Sequence, residues 1–307
     1  MGLTLLATGC GHQQPRLQRF QYAQIKMGVQ ARLVVYAPDE PTAQRACTAA
    51  YQRVAALEDS MSDYRRDSEL LRLCDRAGQG PVHVSNELFF VLQKAQELAE
   101  KSDGAFDVTV GPLVQLWRQA RKTGQLPSDP ELSAARALVG WRLMTLDPAA
   151  KTVALAKPGM RLDLGGIAKG YAGDEAIRVL RKNGIHSALF EAGGDIVVSD
   201  PPPGAKGWGI EVENPAKGPP ILHLANCAIS TSGDTVQFVQ IGPTHYSHVI
   251  DPRTGIALTN RYAATIIAAR GIDADALSTA ACVMGPSAGM QVVAEYAAQG
   301  SIREVRE

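Results

Sequence analysis

Residues 161–176, RLDLGGIAKGYAGDEA, constrain the fold more than any other stretch of the chain. An apolar run meets the glycine pair Gly165–Gly166, then Lys169, then a segment of helical composition that stops at Gly184, a residue type favoured just past a helix end. Glycines let the backbone approach an anion closely, and the helix that follows offers unpaired N–H groups and the positive end of its dipole. Lys169 adds a mobile positive charge, and Asp163, just before the turn, is placed to read a ligand N–H or O–H. The pattern is neither GxxxxGK[ST] nor GxGxxG. The same residues also suit a tight strand-to-helix turn whose glycines serve packing alone, so two readings stand: a phosphate cradle or a structural turn.

Bulk properties narrow the alternatives. With 307 residues, 45% hydrophobic and 20% charged, the chain can bury a core in one or two domains. Its 31 basic and 31 acidic residues cancel, and no basic run is present, which argues against nucleic acid. Cys10, Cys47, Cys74, Cys227 and Cys282 are scattered without metal-ligand spacing, which argues against zinc. Cys47 and Cys282 fall on apolar helical faces and read as core.

Cys10 differs. MGLTLLATGC resembles a bacterial lipoprotein signal, and GHQQPRLQ a polar tether behind it. Residues 1–24 therefore read as a signal-like segment and tether, and 25–307 as the functional domain, lipid-anchored to the membrane in the bacterial periplasm. The segment lacks a basic start, its apolar run is short, and Leu6 stands one place early, so an irregular terminus with an incidental cysteine is the other reading. No other run approaches the ~20 apolar residues of a membrane-spanning helix.

Residues 31–37 read as a strand, 39–59 as a helix with apolar residues at three- and four-residue spacing, and 86–101 as a helix capped by Ser85. GAFDVTVGPL reads as a loop; helices follow around Trp117 and from Asp129–Pro130. From Trp141 the pattern turns to strands, interrupted by the helix over 170–183 and closed by two helices from about Asp273 and Pro286. Helices and antiparallel hairpins segregate, which predicts an α+β fold of mixed helices and a largely antiparallel sheet.

Four further segments hold more polar and glycine residues than folding needs: EAGGD (Glu191 to Asp195), ISTSGD (Ile229 to Asp234), HVIDPRTG (His248 to Gly255) and DADALSTAA (Asp273 to Ala281). In the last, Asp275 and Thr279 are four apart and share a helix face. Carboxylate and hydroxyl oxygens are the ligands a hard cation prefers. Acids near a helix start also complement its dipole and cap it, so this pair too has a structural reading.

Taken together, MSDYRRDSEL, GAFDVTVGPL, LDLGGIAKGYA, EAGGD, ISTSGD, HVIDPRTG and DALSTA resemble, in order, the motifs of the ApbE-type FAD:protein FMN transferases, from about Met27 to the end. The resemblance implies an ApbE-like, T-fold-related architecture. It implies FAD as flavin donor and Mg²⁺ as cofactor. A Thr or Ser hydroxyl of a target flavoprotein attacks the phosphate nearer the flavin, and AMP leaves. Family acceptors are subunits of membrane redox complexes, such as sodium-pumping NADH:quinone reductases. It implies a flavin pocket walled by Met27 and Tyr64, FAD contacts at Ala105, Phe106, Asp107, Asp163, Lys169 and Val249, and metal ligation by Asp275, Ser278, Thr279 and the Gly166 carbonyl. His248 and Asp251 are the candidates for activating the incoming hydroxyl.

Cleaving a pyrophosphate is mostly positioning and charge neutralisation, which a hard cation, Lys169 and backbone N–H groups can supply. A histidine is a suitable general base near neutral pH. The alternatives to transfer are an FAD pyrophosphatase using water in place of the hydroxyl, and a non-catalytic FAD-binding lipoprotein. Three positions depart from the family pattern. A serine stands at Ser278 where an acid is frequent, Val29 replaces the threonine of MGT, and a final strand is expected to be short or absent. A monomer or a homodimer is expected.

Overall fold

The computed structural model describes residues 16–212, 221–233 and 238–305. Strands β1 (Gln18–Lys26) and β2 (Val29–Ala37) form a hairpin whose two-residue loop, Met27–Gly28, has φ of 52° and 74°. Positive φ at both loop residues gives a twist that matches the flanking strands. Helix α1 (Glu40–Met61) follows, with Asp39 accepting from the Thr42 N–H and Pro41 in the first turn. Next come α2 (Glu69–Asp75), β3 (Val82–His83), α3 (Asn86–Lys101), α4 (Gly111–Thr123) and α5 (Asp129–Arg136). Strands β4 (Met144–Asp147) and β5 (Thr152–Leu155) complete a small sheet with β3. The second half runs α6 (Ala168–Lys182), β6 (Ala188–Ala192), β7 (Asp195–Val198), β8 (Trp208–Glu211), β9 (Ile221–Leu224), β10 (Cys227–Gly233), β11 (Phe238–Ile241), β12 (Thr244–Ser247), β13 (Tyr262–Ala268), α7 (Gly271–Glu295) and β14 (Gln299–Glu304).

The frame is a seven-stranded antiparallel sheet in the order β1-β2-β6-β7-β10-β13-β14. Alternation along β2 sets its two faces: Ala31, Leu33, Val35 and Ala37 join the main core under α1, α6 and α7. Val34 faces the other way, into a smaller cluster with Leu189, Val198, Trp208, Ile210 and Ile229 beneath the β8–β9 hairpin. Helix α4 forms a third cluster, where Leu113 and Trp117 pack against Ala135, Ile250 and Ala257. A fully buried Leu, Ile or Val in these clusters stabilises by about 1.5–3 kcal/mol.

The α+β expectation stands, with corrections at the element level. Strand β1 places residues 18–24 of the expected tether in the sheet. The ISTSG residues lie inside β10 rather than at the head of a later strand, because β13 pairs with all five and β7 with Ile229 and Ser230. The final strand is β14, paired with β13 over its whole length. The two expected closing helices are run together as α7, broken at Gly285 (φ 77°) just before Pro286. By length and composition α7 could cross a membrane, yet it packs on α6, β10, β13 and β14 and is a core helix. Cys10 and Asp234 lie outside the described residues.

Candidate active site

Strand register puts the Met27–Gly28 turn, the Gly193–Gly194 turn and the β10 residues Ser230 to Gly233 at one end of the sheet. The glycine segment meets them there. Asp163 Oδ1 accepts the Gly165 N–H (2.8 Å), which closes the turn, and the Asp163 N–H donates to the Val108 carbonyl (2.8 Å). Helix α6 then starts with no acid in its first turn and no side-chain cap. It runs close against α7: a Cβ added at Gly170 would lie 2.0 Å from the Gly271 carbonyl oxygen. Only glycine allows that approach.

The contact brings the ionisable groups together. Lys169 Nζ donates to the Gly165 carbonyl (2.9 Å) and lies 3.0 Å from Asp195 Oδ2 and 3.5 Å from Asp275 Oδ1. Asp275 Oδ2 accepts the Gly170 N–H (2.9 Å). Both carboxylates are buried. Ser230 donates to Asp195, and a hydroxyl chain continues through Ser278 (3.1 Å from Ser230, 2.7 Å from Ser232) to Thr279 (3.2 Å from Ser232). Thr279 Oγ1 faces Gly166, where an added Cβ would stand 2.9 Å away. The expected metal-site residues Gly166, Asp275, Ser278 and Thr279 therefore gather around Lys169.

Burial works against the Lys169 charge, but Asp275 and Asp195 outweigh it and hold the ammonium above the usual lysine range. Burial and the Asp195 charge push the Asp275 carboxyl upward, against the pull of Lys169. Two buried carboxylates thus share one ammonium, and ionising both leaves a negative charge unmatched in a low-dielectric site. A hard divalent cation fits that imbalance and the all-oxygen donor set. Among the described residues no three His, Cys, Asp or Glu side chains cluster for a metal, so a cation here would lean on hydroxyls, a carbonyl and phosphate.

The capping explanation for Asp275 does not hold. Asp174, on α6, accepts the Gly271 (2.6 Å) and Ile272 (3.0 Å) N–H groups and caps α7 instead. Asp273 pairs with Arg270 (2.8 Å).

The expected flavin-pocket residues are placed as follows. Tyr64 is 74% exposed, its ring lying 4.3 Å from the Arg118 guanidinium carbon. Asp163 is partly buried and bonded to Arg118 (3.0 Å). Ala105 and Val249 share one small apolar cluster with Val283. Phe106 is buried in the main core, and Met27 packs partly against that core. Asp107 is buried and holds the Thr109 N–H (2.8 Å) and hydroxyl (2.7 Å), so its carboxylate shapes the loop.

His248 sits half-buried beside Val249, just past β12. Asp251 is committed elsewhere: Arg253 takes both carboxylate oxygens (2.9 Å each), and the Asp251 backbone closes the turn with Ile256 and Gly255. These bonds give Asp251 a turn-building role. Asp195, Ser230 and Ser232 were missed as site residues although EAGGD and ISTSGD contain them. Asp63 likewise lies inside a quoted motif, MSDYRRDSEL, whereas Arg118 had no sequence signal beyond its charge. A cavity of about 750 Å³ lies along the outer half of α6, by Arg178, Arg181 and Arg270, and no expected site residue lines it.

The sequence and the fold both resemble known proteins. The sequence model of the ApbE family matches residues 27–301. An FAD:protein FMN transferase of Vibrio cholerae is 35% identical over 243 residues, spanning 77% of this chain and 72% of the relative. One from Treponema pallidum is 32% identical over 309 residues, spanning 94% and 84%. Among solved structures, the apo flavinyl transferase ApbE of Pseudomonas stutzeri superposes with a TM-score of 0.83 at 29% identity, covering 94% of this chain and 93% of that one. A histidine-to-glycine variant of the Vibrio cholerae flavin transferase ApbE gives 0.84 at 30% identity, covering 94% and 95%.

Proposed function

The chain belongs to the ApbE family, and on that premise we propose that it is an FAD:protein FMN transferase whose reacting phosphates sit at the Lys169–Asp195–Asp275 cluster. The observation that carries the placement is the meeting, at one sheet end, of an uncapped helix start, a buried ammonium, two buried carboxylates and a row of hydroxyls. The turn at Gly165–Gly166 and Lys169 hold and orient the pyrophosphate. A Ser or Thr hydroxyl of the acceptor attacks the phosphorus nearer the flavin, the bond to the AMP phosphate breaks, and His248 takes the hydroxyl proton. Asp275, Thr279, Ser278 and the Gly166 carbonyl would hold Mg²⁺, which supplies charge neutralisation at the phosphates when bound. Tyr64, Asp163, Ala105 and Val249 position the nucleotide.

Acceptors of this chemistry are flavoprotein subunits of membrane redox complexes, and a lipid on Cys10 would hold the domain beside them on the periplasmic face of the membrane. The sequence pattern at residues 1–10 supports that location. The test is incubation with FAD and Mg²⁺, with and without an acceptor domain. The expected result is an acceptor band that keeps flavin fluorescence under denaturing conditions, together with metal-dependent AMP release. AMP and free FMN formed equally without acceptor would make the protein an FAD pyrophosphatase. FAD bound but never cleaved would make it a carrier.

A further inference from the structure

Arg118 takes no part in the reaction described above, yet its guanidinium is engaged on three sides. Projecting from α4, it donates through Nη1 to Asp63 and through Nη2 to Asp163 Oδ2 (3.0 Å), and it lies on the Tyr64 ring. The three ion-paired side chains are 24%, 19% and 12% exposed for Arg118, Asp63 and Asp163. They are therefore too sheltered for the negligible worth of surface pairs. Tyr64 is the contrast. It is mostly open to solvent, with one ring face pinned by the guanidinium. An aromatic ring fixed on one side and open on the other is a stacking platform.

The same guanidinium grips the carboxylate that closes the glycine turn, since Asp163 also accepts the Gly165 N–H (2.8 Å). One side chain thus ties the ring platform to the segment that leads into Lys169. Only arginine does this well: its planar fork serves two carboxylates while its face stacks on an aromatic ring, whereas lysine offers a point charge. Without it, Asp63 and Asp163 would face each other as like charges.

We propose that Arg118 is a positioning residue for the flavin nucleotide, locking Tyr64 and Asp163 into one unit that stacks a planar heterocycle while accepting an N–H from its edge. The inference rests on the flavin-nucleotide reading of the site. It is tested by titrating the full chain with FAD and following flavin fluorescence, without acceptor. Arg118→Met should weaken FAD binding at least about tenfold, and Arg118→Lys should not restore it. In turnover the loss should fall mainly on KM for FAD rather than on kcat. Tyr64→Ala should cost affinity in the wild-type background and much less once Arg118 is Met, because the two act as a unit. Three results overturn the proposal: a folded Arg118→Met variant that binds FAD within about twofold of wild type, full additivity of the two substitutions, or, should the Met variant not fold, wild-type affinity in Arg118→Lys. Wild-type protein that binds no FAD at all would overturn the functional reading, and this inference with it.

Discussion

Helices α6 and α7 start side by side, and they start differently. The first N–H groups of α7 are closed off by Asp174, a half-buried carboxylate supplied by the neighbouring helix. The start of α6 has no side-chain cap, carries Lys169 in its first turn, and gives the Gly170 N–H to Asp275, a residue of the other helix. The two helices thus exchange carboxylates. One exchange satisfies backbone donors and locks the pair; the other gathers charge beside a glycine turn. A helix start with an acid nearby is therefore a cap or a site according to what else converges on it.

If that contrast is right, substitutions at the two starts should separate chemistry from stability. The largest effect belongs to Asp275→Ala or Lys169→Met, each expected to lower metal-dependent AMP release from FAD by about 100-fold or more while the protein stays folded. Asp174→Asn should leave AMP release close to wild type; an equal loss there would erase the distinction. Gly170→Ala comes next, because the added methyl group meets the Gly271 carbonyl, and it should cost about 3 kcal/mol of unfolding free energy in a denaturant titration.

Asp174 itself gives a pH signature. Burial pushes its carboxyl from 3.8 up to about 6, against the two N–H bonds it accepts. The folded protein holds this proton more tightly than the unfolded chain does. The stability that results is complete below about pH 4 and is lost as pH rises through about 6. Asp174→Asn keeps an acceptor and removes the titration, so stability measured across this window should change less steeply, by up to about 3 kcal/mol in total. The smallest effect is the ordinary case. Ser85 caps α3 from its own chain, accepting the Leu88 N–H (3.2 Å), and Ser85→Ala should cost about 1 kcal/mol with no change in FAD cleavage.

What could be read from the sequence follows the range of the interactions involved. Helices α1 and α3 were legible because spacing and caps are local: Ser85 caps α3 as expected, and Asp39, read as the first helical residue, caps α1. Strand β1 was not, because QRFQYAQIK lies at a sheet edge and puts only Phe20 and Tyr22 against the core, too short an apolar alternation to stand out. Gly166, Lys169, Asp275, Ser278 and Thr279 were legible as motif positions. That they form one cluster depends on a helix–helix contact permitted by Gly170, which no local pattern reveals. Asp195 lay in a quoted motif, but its partnership with Lys169 spans a strand and a helix. Asp251 carries a structural task that the motif did not reveal, since Arg253 takes both of its carboxylate oxygens.

The central claim, that the Lys169–Asp195–Asp275 cluster carries transfer of FMN to a protein hydroxyl, is tested most directly with FAD labelled on the phosphate nearer the flavin. The label is followed in the presence of Mg²⁺ and an acceptor domain, for wild type and Asp275→Ala. The account predicts label covalently on a Ser or Thr of the acceptor with wild type, and label remaining in FAD with the variant. Equal labelling of the acceptor by both proteins, or label recovered only as free FMN, would contradict it.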